Sequence, residues 1–93
     1  MFLGDSSVSI HRIVACGNTA VPALLSLEQL GFNVIVQDHS RGQTVIASRG
    51  DEEYSADDPV TVLGLIKLVE ARSWQWKATD AQIEAIIVKY QLR

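Results

Sequence analysis

Apolar residues recur at helical spacing in three stretches of the chain and at strand spacing between the first two of them. The sharpest pattern lies between Asp57 and Ser73. At 100° per residue, Val62, Leu65, Ile66 and Val69 make one apolar face. Val60, Gly64, Leu68 and Ala71 make a second, on roughly the opposite side, with Thr61, Lys67, Glu70 and Arg72 between them. A helix apolar on two sides is normally buried on two sides. Its start is well marked: Asp58 can cap free N–H groups, and Pro59 suits the first helical position because no N–H is needed there. Gly64 costs the helix roughly 0.5–1 kcal/mol relative to Ala. The second face is therefore expected to repay that cost through close approach by another helix, from this chain or a second copy.

The rest of the chain arranges itself around that helix. Residues 1–7 read as a loose terminus. Val8 to Cys16 reads as a strand, since Val8 and Ile10 alternate with Ser9 and His11, although a short helix also fits. Thr19 is the expected N-cap of a helix from Ala20 to Leu30, with Pro22 in its first turn and Gly31 as its stop. Phe32 to Asp38 and Gln43 to Arg49 read as strands joined by the turn His39-Ser40-Arg41-Gly42. Gly50-Asp51 is a further turn signal, leading to a short strand from Glu52 to Ala56. Connections this short favour antiparallel neighbours. After the central helix, Ser73 to Ala78 forms a link carrying both tryptophans. Thr79-Asp80-Ala81-Gln82 has the form of a capping box, opening a last helix to about Leu92. Its main stripe is Ile83, Ile86, Ile87 and Tyr90, extended by Ala81, Ala85, Val88 and Leu92. The order predicts a single α+β domain over residues 1–93: an antiparallel β-meander of about three strands, four if Val8–Cys16 pairs, covered by three helices.

Composition sharpens this picture at a few points. The chain has 93 residues, 47% of them hydrophobic and only 6% aromatic, which predicts one modest, aliphatic core. A net charge of −3 gives no electrostatic case for nucleic acid. Acidic residues concentrate between Asp51 and Asp58, while residues 59–93 are mildly basic; a solvated surface explains this, and so would pairing with a basic partner. One cysteine cannot form an internal disulfide, the first residues lack the basic and apolar regions of a signal peptide, and no apolar run is long enough to span a membrane. A cytoplasmic protein is expected.

Candidate chemistry is sparse. Cys16 precedes Gly17-Asn18-Thr19 near a helix start, where a thiol can be activated, and His11 or His39 could serve as its base. The simpler expectation is a mostly buried, unreactive thiol at a strand end. Asp38-His39-Ser40 has the letters of a catalytic triad, but adjacent side chains diverge, so these are turn residues. No paired metal-ligand spacing, calcium loop or phosphate-binding glycine motif occurs, and no cofactor or metal is expected. Arg49-Gly50-Asp51 spells an adhesion tripeptide, which turn chemistry explains better. Trp74 and Trp76 are the strongest contact candidates: Trp76 is expected to seal the core between the last two helices, and partner contact is the other reading.

The expected function is a non-enzymatic, self-associating interaction module, accessory or inhibitor-like, working as a homodimer. The helices carry more apolar surface than one small domain can cover. The interface is expected to use Val60, Gly64, Leu68 and Ala71 with Trp74 and Trp76, or the outer side of the last helix. A Cys16-centred enzyme or redox sensor and a small-ligand-binding regulator are the alternatives.

Overall fold

The computed structural model describes residues 10–92. The loose terminus expected over residues 1–7 and the first two residues of the expected N-terminal strand lie outside them. A short 3-10 turn over Gly17–Thr19 leads into α1 (Ala20–Gln29). Three strands follow, β1 (Asn33–His39), β2 (Gly42–Arg49) and β3 (Glu52–Ala56), and then α2 (Pro59–Arg72) and α3 (Asp80–Tyr90). The sheet is an antiparallel meander in the order β1-β2-β3. The fold is α+β, as the pattern predicted.

Alternation along the strands decides which side chains face the helices. The cross-strand rows Val34–Ala47–Tyr54 and Val36–Val45–Ala56 share the inner face. Val45, Ala47 and Tyr54 are buried there against Leu27 of α1, Phe32, and Val62 and Ile66 of α2. Leu65 and Val69 pack half-buried at the rim, so the first apolar face of α2 points inward as expected. On the outer face Ile35 is exposed and Ile46 half-buried.

The element ends follow local chemistry. Gly31 leaves α1 at φ 91°, Phe32 N–H donates to Leu27 C=O and Gly31 N–H to Glu28 C=O, a Schellman closure that also sets Phe32 beside Leu27 in the core. Gly50, at φ 60°, takes the first of two loop positions between β2 and β3, where a type II′ turn asks for glycine. At α2, Thr61 N–H and Oγ1 both donate to the Asp58 carboxylate, at 2.9 and 2.8 Å. Those bonds hold the Asp58 carboxyl below its ordinary value of 3.8. The stability this adds is complete above that ordinary value and is lost as pH falls through the lowered one. Asp58→Ala should cost about 0.5–2 kcal/mol at neutral pH. The difference from wild type should shrink below pH ~4, as measured by denaturant unfolding at several pH values. At α3 the capping box is complete: Thr79 Oγ1 accepts from Gln82 N–H, and Gln82 Oε1 from Thr79 N–H.

Two expectations near the start of the described chain fail together. Residues 10–15 form no strand. The alternation Val8, Ile10 is too short to hold a register, and Ile13-Val14-Ala15 breaks it. Thr19 does not cap α1 through its side chain; it sits in the 3-10 turn, and its hydroxyl donates to Cys16 C=O at 2.7 Å. With no strand to carry it into a sheet, Cys16 is exposed, not buried.

The largest departure is at the other end. Each residue from Glu70 to Leu92 is exposed, and α3 buries no side chain. It stands away from the sheet that α1 and α2 cover.

Candidate interaction surface

The second face of α2 is open. Val60 and Leu68 are each 36% exposed, and Gly64 and Ala71 are exposed beside them. A Cβ built on Gly64 would meet nothing within 4 Å, so the notch that the glycine leaves is unfilled. Among the described residues, no helix makes the close approach expected at Gly64.

Helix α3 is open on both of its apolar sides. Ile83, Ile86 and Ile87 are 42–45% exposed, Tyr90 is 60% exposed, and Val88 on the opposite side is 74% exposed; Leu92, just past the helix, is 54% exposed beside the isoleucines. The helix is nonetheless well specified, with its capping box at one end and Gln91 in the left-handed conformation closing the other. A short isolated helix is marginal in water, and the apolar stripes of α3 stay uncovered among the described residues.

The segment between α2 and α3 is built to a definite shape. Ser73 has φ 58° and ψ −168°, a conformation close to glycine-only, and it turns the chain sharply out of α2. Trp74 stacks on Tyr54, with ring centroids 5.7 Å apart and planes 19° apart. Arg72 Nε donates to Trp76 C=O at 2.9 Å. It is therefore Trp74, not Trp76, that meets the core, and it covers Tyr54 from outside instead of sealing a helix–helix gap. Both indoles stay accessible, Trp74 at 57% and Trp76 at 40%.

Beneath Trp74 lies a polar clamp that sequence reading missed. Tyr54 packs edge-on against Phe32, and its hydroxyl donates to Glu52 Oε1 at 2.7 Å. Burial, and then that bond to Glu52, push the Tyr54 phenol up to about 12. The Tyr54 bond, helped by Arg49, holds the Glu52 carboxyl below its ordinary range. The Arg49 guanidinium donates to Leu30 C=O at 2.7 Å and to Glu52, and lies 4.2 Å over the Phe32 ring. Arg49 is spent on joining the end of α1 to the sheet, which removes the adhesion reading of Arg49-Gly50-Asp51. The signal available in the sequence was an arginine and a glutamate flanking a two-residue hairpin loop.

Catalytic candidates do not come together. Cys16 Sγ donates to Asn18 Oδ1 at 2.7 Å, a contact within its own turn. His39 is held in its hairpin, with Nε2 3.1 Å from Thr44 Oγ1 and Nδ1 accepting from Arg41 N–H. Among the described residues, no group of three or more metal-ligating side chains gathers, and no helix is long and apolar enough to cross a membrane. An open apolar groove of about 610 Å³ lies between the irregular Arg12–Ala15 segment, α1 and the Val60 end of α2. Compared with protein-family models, curated proteins and solved structures, the chain matches none of them.

Proposed function

We propose that this chain is a non-enzymatic interaction module, accessory or inhibitor-like, that works as a self-associated homodimer. The observation that carries the reading is α3: a capped helix whose apolar stripes touch no core of their own chain. A stable interface needs only ~800 Å² from each partner. Helix α2 contributes a second uncovered row of the same length scale, so one copy carries two faces that association would dry. The test keeps the chain full length. Replacing Ile83 and Ile87 together by Glu puts charge on the stripe while leaving the buried core untouched. Light scattering during gel filtration should show the wild type as a dimer and the double variant as a monomer. Thermal unfolding of the variant should remain cooperative. A variant that associates as strongly as wild type would remove the stripe from the interface.

A further inference from the structure

We infer that the two copies join sheet to sheet, β1 of each pairing antiparallel with β1 of the other about a two-fold axis at Val36. The inference rests on the homodimer proposed above and fixes its axis, which in a closed pair governs every contact between the copies, the α3 stripe included.

The sheet has two edges, and only one is guarded. β3 is short, carries Glu52 and Glu53, and runs on to Asp57 and Asp58. Shortness and charge of that kind keep a strand edge from pairing. β1 is the longer edge, Asn-Val-Ile-Val-Gln-Asp-His, with no proline, no lysine and Asp38 as its one carboxylate.

The backbone groups on the open edge of β1 can be named. The two-residue loop makes His39 and Gly42 a hydrogen-bonded pair. Such pairs alternate along an antiparallel ladder. Asn33, Ile35, Gln37 and His39 therefore bond to β2, while Val34, Val36 and Asp38 turn their N–H and C=O groups outward. Among the described residues, nothing bonds to these outward groups. A row of that kind takes an extended strand.

β1 itself matches the row in one register. An axis at Val36 overlaps the whole strand, from Asn33 to His39. It sets Val36 against Val36 and Val34 against Asp38, so every outward residue exchanges both of its bonds. Moving the axis to Ile35 leaves Asp38 unmatched, and moving it to Gln37 leaves Val34 unmatched. The two Asp38 carboxylates then stand roughly 14 Å apart along the strands and do not oppose each other. Exposure points to the same place. Val36 is on the helix-facing side yet 45% exposed, while Val45 beside it is 1% exposed. Ile35, on the outer side, is 47% exposed.

The helix above β1 agrees. α1 lies over β1, and α2 over β2 and β3. Ala23 and Ser26 of α1 face the groove toward α2. At 100° per residue, Val21 and Leu25 lie on the flank turned away from them, with Glu28 beside them. Val21 is 64% and Leu25 53% exposed. An axis normal to the sheet keeps both copies' helices on one side of it, so these flanks face each other above the junction.

Cysteine trapping reads the register. Every chain carries Cys16→Ser, since Cys16 is exposed and would cross-link on its own account. Ile35→Cys and Gln37→Cys are made singly. An axis at Val36 makes these positions a non-hydrogen-bonded pair across the junction, close enough for a disulfide. Each chain is sized by sedimentation, and then the two are mixed, equilibrated and oxidised mildly. The expected product joins Ile35→Cys to Gln37→Cys in several-fold excess over links between identical chains. A predominance of self-links at either position overturns the axis at Val36. Amide exchange of the unmodified chain gives a second readout. Val34, Val36 and Asp38 should exchange roughly tenfold more slowly at dimer-forming concentration than when dilute, with Ser55 on the β3 edge unchanged. Dimers that sediment normally but yield no link and no slowing overturn the edge pairing and leave the homodimer standing. Monomers at every concentration overturn both.

Discussion

Leu27→Ala is expected to lower the unfolding free energy by about 2–5 kcal/mol. Leu27 is fully buried at the centre of the only large apolar cluster among the described residues, facing Phe32 from α1 and the inner sheet rows from below. Removing its branched end leaves a cavity between α1, α2 and β2 that the neighbouring side chains refill only in part. In a domain whose whole stability is of order 5–15 kcal/mol, that is a large fraction. The same change at Leu65, on the inward face of α2 but only half-buried, should cost less. Urea unfolding of both variants checks the order; a loss of a few tenths at Leu27 would place it outside the core.

Arg49→Ala should cost about 2–3 kcal/mol, combining a charge-assisted bond to a carbonyl with stacking on an aromatic ring. Its guanidinium contacts the end of α1, the Phe32 ring and Glu52 at once. Its loss frees the Leu30 carbonyl at the end of α1 and uncovers the edge of the core. Arg49→Lys should restore only part of the stability, because an ammonium cannot serve the carbonyl and the carboxylate in a fork while stacking on the ring. Denaturant midpoints of the two variants are the measurement. Full recovery in the lysine variant would reduce Arg49 to a surface point charge.

What could be read in the sequence was chemistry acting within a few residues. Asp58 before Pro59, Thr79 before Gln82 and Gly31 after α1 each act through a bond to a nearby backbone group, and each forms as expected. The meander was legible for the same reason, since two-residue loops leave neighbouring strands little choice but to pair. Contacts set by the tertiary arrangement were not legible. Arg49 reaches Leu30, nineteen positions away, and nothing near either residue announces it. Trp74 rather than Trp76 meets Tyr54 because Ser73 turns at positive φ, a conformation that no glycine in the sequence signals. The strand expected up to Cys16 needed a partner edge that its own residues could not specify. Likewise, the apolar spacing of α3 marks surface that seeks cover but does not say which chain supplies it.

Sedimentation velocity of the unmodified protein over a series from about 1 to 100 μM tests the central claim most directly, since a weakly held dimer shifts with concentration across that range. A species of twice the chain mass, persisting or growing with concentration and saturating there, is the expected result. A single monomer boundary at every concentration, with α3 still helical by circular dichroism, would contradict it.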